Sequence, residues 1–354
     1  MKKVLYLMPI DWAWIAQRPH FLALELMKKY QVEVAYLKQY IKRWKSQKAI
    51  ETPKKCHCGI YIPFQEKIGM FAKFSDWSMR KAIGDINVYD IVYVGSPLMY
   101  KYVENFKGIV VYDCMDNYVA LEKDEQQKHI IKEYEKKVIE AADLILVSSL
   151  KLEEHIKNKK ENANVLLVRN GYNSTTIYPI KKSKCREKYK LGYIGTVSSW
   201  MNFSVLERCV EKHGDIEVHL IGPAAGYDHQ TTKGIVFDGI VEHTQLYSYI
   251  EEFDCLMMPF VLNDIILAVD PVKLYEYINF GKCIISVYYK EIERFSDFVY
   301  FYKDENEFVQ LVDYLKTKGF PAKYTEKQQR EFLENNSWEV RGKLINESIE
   351  CLWN

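Results

Sequence analysis

Short runs that are apolar on both faces recur along this chain, with helical stretches between them. In the first half they fall at residues 4–8, 32–37, 91–94, 109–112, 144–147 and 165–168. A strand with two apolar faces has to be covered on both. That pattern fits a parallel sheet lying between layers of helices rather than a half-exposed antiparallel one. Helical patterns at 15–30 and 122–142 supply such layers. Asn170-Gly171 is a turn signal, and the polar, basic stretch 174–190, with Pro179 in it, has the character of a linker. A second series then begins. Strands are expected at 191–194, 217–221, 234–237, 255–258 and 283–287, with helices at 203–212, 244–252 and 271–280. Two such series imply an α/β chain of two doubly wound Rossmann-like domains, over 1–180 and 188–325, facing a central cleft. The stretch 326–354 is helical with a break at Asn335-Asn336-Ser337-Trp338, and it has no sheet of its own left to cover. It is expected to cross back to the first domain.

Composition removes several function classes. The formal net charge is +1, so no global field draws nucleic acid, and no zinc-finger or aromatic RNA-binding signature is present. No stretch holds the eighteen or so apolar residues of a membrane span. The Met-Lys-Lys start resembles a secretory leader, but Asp11 interrupts the apolar run and no small-residue cleavage site comes after it, so a cytoplasmic location is expected. The eight cysteines are scattered, as reduced thiols would be. Cys56-His57-Cys58 has no second Cys/His pair at ligand spacing and reads as strand or loop rather than a zinc site.

The segment richest in chemistry runs from Asp270-Pro271-Val272-Lys273-Leu274-Tyr275-Glu276-Tyr277 to Gly281-Lys282. Asp270 can cap a helix there, and Pro271 suits its first position. The unpaired N–H groups of a helix start favour phosphate, and Lys273 adds a full charge. Glu276 stands three residues later, on the same face. A lysine for a diphosphate and a carboxylate for ribose hydroxyls make a nucleotide site. The same spacing also describes an ordinary surface ion pair.

This run resembles the donor-binding segment of the retaining GT-B glycosyltransferases, such as glycosyltransferase family four. There a glutamate opens a helix, a glycine follows five residues later and a small apolar strand comes next, as Glu276, Gly281 and Cys283-Ile284-Ile285-Ser286 are arranged here. The resemblance implies that Glu276 holds the donor ribose. Where the family places a second glutamate, eight residues upstream, this chain has Ala268. The Pro-x-Lys-Leu-x-Glu-Tyr form is similar to a group of bacterial capsule and cell-wall transferases, some of them inverting, so both stereochemical outcomes stay open. Gly195-Thr196-Val197, after the first strand of the second half, resembles the family's phosphate-side loop. Gly239-Ile240-Val241 resembles the loop that meets the base. The resemblance implies a donor site of Gly195, Thr196, Val197, Val241, Asp270, Pro271, Lys273, Leu274 and Glu276, and a nucleotide-diphosphate sugar, with UDP as the expected carrier.

In the first half, Asp11-Trp12-Ala13-Trp14 leads to Gln17-Arg18-Pro19-His20 at the first strand-to-helix crossing. Arg18 could reach a phosphate or anionic acceptor, His20 could bond a hydroxyl, and the tryptophans could stack on sugars; a capped helix with exposed Arg and His is the other reading. Asp113 and Asp116 end a buried strand. Asp116 is the candidate base for an acceptor hydroxyl, with Asp113 structural, or both cap the helical region after them. The chain has no Asp-x-Asp, so a metal-free mechanism without a cofactor is expected, with Lys273 stabilising the leaving group. Basic and aromatic residues mix at 38–48 and 68–81, as on a surface that docks on anionic lipid, or on a half-buried core helix with solvated lysines. The expected function is transfer of a sugar to a glycan or lipid-linked acceptor in bacterial surface polysaccharide synthesis. A sugar-nucleotide epimerase and a non-catalytic binding protein are the alternatives.

Overall fold

A computed structural model describes residues 1–39, 51–65, 67–173, 176–181, 187–224, 226, 232–241 and 243–353. The chain divides into two compact units, Met1–Gly171 with Trp338–Asn354, and Tyr172–Ser337.

The first unit is built on seven strands: β1 (Lys3–Leu7), β2 (Gln31–Lys38), β3 (Cys56–Ile60), β4 (Ile91–Val94), β5 (Ile109–Cys114), β6 (Leu144–Val147) and β7 (Val165–Leu167). They pair in parallel in the order β3-β2-β1-β4-β5-β6-β7. The order reverses between β1 and β4, the position where such sheets open a crevice beyond their carboxyl ends. Val4–Leu7 and all of β4 are fully buried, as runs apolar on both faces require. The covering helices are α1 (Arg18–Met27), α2 (Gly69–Ile83), α3 (Tyr118–Leu121), α4 (Glu125–Ala141) and α5 (Leu150–Lys159). Helix α1 starts three residues later than its apolar pattern suggests, because Gln17 caps it and Pro19 sits in its first turn.

The second unit carries β8 (Tyr189–Ile194), β9 (Ile216–Ile221), β10 (Ile235–Gly239), β11 (Cys255–Met258), β12 (Cys283–Val287) and β13 (Tyr300–Tyr302). Their order is β10-β9-β8-β11-β12-β13, again parallel, with its reversal between β8 and β11. Its helices are α6 (Phe203–Lys212), α7 (His243–Glu251), α8 (Asp264–Leu267), α9 (Val272–Asn279), α10 (Glu305–Thr317) and α11 (Glu326–Asn335). Asn202, Asp304 and Thr325 cap α6, α10 and α11 with their side chains.

The division falls earlier than the polar linker suggests. Tyr178 stacks on Tyr247 with ring centroids 3.7 Å apart, and Ile180 packs on the second core, so this stretch belongs to the second unit. Of the two C-terminal helices only the last, α12 (Trp338–Glu350), belongs to the first. Trp338 stacks on Phe21 of α1 at 5.1 Å. Gly342 lets α12 lie so close that an added Cβ would come within 2.5 Å of the Glu25 side chain. Helix α11 stays with the second unit, where Gln329 donates to the carbonyls of Tyr178, Ile278 and Asn279.

Candidate functional site

In the second unit the expected phosphate-side residues gather at the carboxyl ends of β8 and β9, beside α9. Gly195 comes directly after β8 with φ +142°, a conformation that L side chains rarely adopt. A Cβ there would collide with Cε of Lys273 and lie 2.9 Å from its Nζ. The N–H groups of Gly195 and Val197 are spent on the carbonyls of Ile221 and Pro223, and the Tyr193 hydroxyl donates to Thr196 O, which fixes the loop and leaves Thr196 exposed. Gly222, after β9, has φ +136°, and a Cβ there would strike the Gly195 carbonyl. Gly222 was absent from the sequence-derived set. Its signal is the Gly-Pro step that leaves a buried strand.

Lys273 is the second residue of α9, half-buried, with Nζ 5.9 Å from the centre of the Tyr193 ring. Among the described residues it makes no ion pair and no hydrogen bond. Burial pushes its pKa down, and the nearby charge of Glu276 opposes that. Glu276 is half-buried on the same turn. Gly281 ends the helix at φ +66°, where its N–H closes on the Ile278 carbonyl and a side chain would meet Pro179.

The side chains of three expected donor residues are engaged in the fold. Asp270 is not the cap: Pro271 occupies that position without a side-chain bond. Asp270 is 1% exposed, pairs with Arg294 at 2.7 Å and accepts from the Tyr275 hydroxyl at 2.9 Å. Leu274 is fully buried in the core. Val241 is half-buried beyond β10 and packs on that core.

In the first unit, Arg18 and His20 are interior. Arg18 pairs with Asp113 at 2.8 Å, donates through Nε to the same carboxylate, and donates to the Val168 carbonyl at 2.7 Å. The Tyr6 hydroxyl completes the Asp113 shell at 3.1 Å. Asp113 is thus the structural carboxylate, and its partner is the arginine that the sequence offered to a ligand. The His20 ring is fully buried. Its Nε2 donates to the Trp12 carbonyl and its Nδ1 accepts from Gln17 N–H, completing a capping box, so neither nitrogen is left for a hydroxyl. Asp116 lies just beyond β5, half-buried. Burial first, and then the Asp113 charge, raise its pKa to about 6 against the pull of Arg18.

Cys56-His57-Cys58 lies in β3, where His57 is held by Glu33 at 2.7 Å and by the Ala82 carbonyl. Of the basic segment 38–48, residues 40–48 lie outside the described residues. The other segment forms most of α2, and it is turned opposite to an ordinary core helix. Ser75, Ser78 and Met79 face inward, while Met70, Phe74 and Trp77 are 72%, 43% and 55% exposed. Lys73 and Lys81 are exposed around them.

Solved structures with the same architecture include sucrose-phosphate synthase from Thermosynechococcus elongatus, with a TM-score of 0.77 at 13% identity, covering 100% of this chain and 99% of the other. The apo lipopolysaccharide outer core galactosyltransferase matches with 0.68 at 13% identity over 99% of both chains. Anabaena HepE, solved in complex with UDP and glucose, matches with 0.66 at 13% identity over 99% of this chain and all of the other. The chain has the GT-B fold. Among curated sequences, the Bacillus subtilis protein named "Putative teichuronic acid biosynthesis glycosyltransferase" is 24% identical over 197 residues. That match spans half of this chain and half of the relative. No family model matches the chain.

Proposed function

We propose that this GT-B protein transfers a sugar from a nucleotide diphosphate, with UDP as the carrier, to a glycan or lipid-linked acceptor of a bacterial surface polysaccharide. The observation that carries the reading is Lys273, a half-buried amine with no ion-pair partner among the described residues, pressed against a glycine that no side chain could replace. A buried cation is costly unless an anion joins it. A diphosphate beside Gly195, at the start of α9, supplies that anion and restores the charge that burial disfavours. Glu276 takes the ribose hydroxyls. The UDP-bound neighbour and the surface-glycan relative support the same direction. In the reaction Asp116 accepts the proton of an acceptor hydroxyl, that oxygen bonds to the anomeric carbon, and the nucleotide diphosphate leaves with the electron pair of the broken C–O bond. Lys273 and the α9 N-terminus meet the charge developing on it, without a divalent ion. The exposed aromatic face of α2, ringed by Lys73 and Lys81, holds the protein on the anionic cytoplasmic face of a membrane, where such acceptors are built.

Titration calorimetry with UDP tests the donor half. Lys273→Ala and Glu276→Ala should each weaken binding by about tenfold or more while leaving thermal stability in place. Wild-type affinity should fall as pH rises, well before an ordinary lysine would titrate, because the protonated amine binds the anion and its pKa is lowered. Unchanged affinity in both variants would remove the site. Turnover lost to EDTA and regained with manganese would remove the metal-free step.

A further inference from the structure

A cavity of about 540 Å³ opens in the first unit at the β1/β4 reversal of its sheet. Its floor is the chain leaving β1, Pro9 to Asp11, and the chain leaving β4, Ser96 to Met99. Trp14, Tyr61, Tyr102 and Tyr118 form much of its wall. Two residues of its lining, Asp11 and Gln65, carry a buried side-chain oxygen without a hydrogen-bond partner among the described residues. Asp11 is 6% exposed. One carboxylate oxygen, Oδ1, accepts from the Ala13 N–H at 2.9 Å, which ties the loop. The other, Oδ2, is buried and has no hydrogen-bond partner among the described residues. The Oε1 of Gln65, on the same wall, is also buried without a partner among them. Leaving a buried acceptor unmet costs the fold more than a typical hydrogen bond contributes, so such atoms are rare and point to a missing donor.

The two unmet atoms are both acceptors, and the walls around them are largely aromatic and apolar; Lys101, the one lysine in the lining, is already paired with Asp76. A pyranose ring has the matching chemistry: hydroxyls that donate from its edge and C–H faces that lie against aromatic rings. An alkyl chain offers no donor, and a phosphate would set oxygen against oxygen. We infer that this cavity is a sugar-ring subsite, and that Asp11 selects the acceptor by accepting one of its hydroxyls, with Gln65 as a second contact. The inference rests on the proposed transferase reading for the word acceptor, but the site itself is defined by the first unit alone. Asp11 is a binding and specificity residue in this scheme, distinct from Asp116, which moves the proton.

The test is saturation-transfer NMR on the full chain with octyl β-D-glucoside, octyl β-D-galactoside and octyl N-acetyl-β-D-glucosaminide as probes, with n-octanol as the apolar control. At least one glycoside should show transfer to its ring protons. Asp11→Asn keeps the bond to Ala13 N–H but replaces the acceptor oxygen by a donor, and should weaken that glycoside by about tenfold or more. Leu98→Trp fills the cavity from the chain leaving β4 and leaves the Asp11 side chain in place, and should weaken it as well. UDP affinity, measured in parallel, should be the same in both variants. Glycoside binding untouched by either variant would overturn the subsite. Transfer confined to the octyl protons, or equal binding of octanol, would overturn its sugar character. Wild-type protein that binds a glycoside in this Asp11-dependent way but never binds UDP would leave the subsite standing and remove the transferase reading.

Discussion

Replacing Asp116 by asparagine should make the protein more stable and less active, and the stability gain should depend on pH in one direction. The carboxyl group goes from an ordinary value of 3.8 to about 6 in the folded protein, chiefly because burial disfavours its charge. A group whose folded pKa is raised contributes stability through its protonated form. That contribution is whole below the unfolded pKa and lost as pH rises through the folded one. The rise of roughly two units corresponds to about 3 kcal/mol at the most, at about 1.36 kcal/mol per unit. Asp116 is only half-buried, so solvent screening brings the expected loss nearer to about 1.5 kcal/mol. Asparagine does not titrate and escapes this loss. Relative to wild type, Asp116→Asn should therefore gain about 1.5 kcal/mol between about pH 4 and about pH 7.5, or roughly 3–6 °C in Tm for a unit of this size. Turnover should meanwhile fall by about a hundredfold, and the acid limb of the wild-type kcat/KM profile, centred near pH 6, should disappear. Paired thermal melts at the two pH values, with kcat/KM measured across them, check both parts. A variant that is less stable at the higher pH, or whose stability difference ignores pH, would refute the burial argument. Full activity would refute the base.

Gly195→Ala should weaken UDP binding by more than about tenfold and cost about 1–3 kcal/mol of stability, because the methyl group meets Lys273 and the backbone stays at φ +142°; calorimetry and denaturant melts read the two effects. Arg18→Met strands Asp113 in the interior and should cost about 3–5 kcal/mol, whereas the double variant with Asp113→Leu should recover much of it; a stable single variant with altered substrate affinity would return Arg18 to the site. Phe74→Ser with Trp77→Ser, and separately Lys73→Gln with Lys81→Gln, should each reduce flotation with phosphatidylglycerol vesicles, the lysine pair by about 1 kcal/mol per charge and more at low salt; wild-type protein that ignores such vesicles would remove the membrane face.

The strands were legible because a parallel sheet buries both faces, so a run such as Ile91–Val94 is apolar at every position, and because such runs are too short for a buried helix and alternate with helical stretches. β4, β6, β11 and β12 coincide with their apolar runs residue for residue. Two of the edge strands, β3 and β13, escaped, whereas β7 and β10 at the other edges were read. β3 has one partner, alternates buried and half-buried positions, and is spelled Cys-His-Cys-Gly-Ile, which looks like a metal loop as much as a strand. The donor segment was readable as a motif, but its division of labour was not. Asp270 and Glu276 are both acids near one helix start, and only the three-dimensional position of Arg294, twenty-four residues onward, makes the first a core ion pair. Arg18 poses the same problem at longer range, since its partners, Asp113 in β5 and Val168 just beyond β7, lie far along the chain. The direction in which α2 faces was equally hidden. Its composition permits a core helix, and only the inward placement of two serines reveals that its aromatic side is the outer one.

Comparison of the cations drawn inside this protein separates scaffold from site by one physical criterion. Arg18 spends its guanidinium on Asp113 and a carbonyl. Arg294 meets Asp270. Lys282 donates to the carbonyls of Glu251 and Phe253. Each has oxygen arranged around it by the fold, so each charge is settled before any ligand arrives. Lys273 has instead a glycine, an aromatic ring and, at longer range, the field of Glu276. The mirror case is Asp11, whose Oδ2 lacks among the described residues the kind of donor that Asp113 and Asp270 have found. One unit thus carries an unmet cation and the other an unmet acceptor oxygen. That distribution is what a transferase requires if a diphosphate anion is to bind to one unit and a hydroxyl-bearing acceptor to the other.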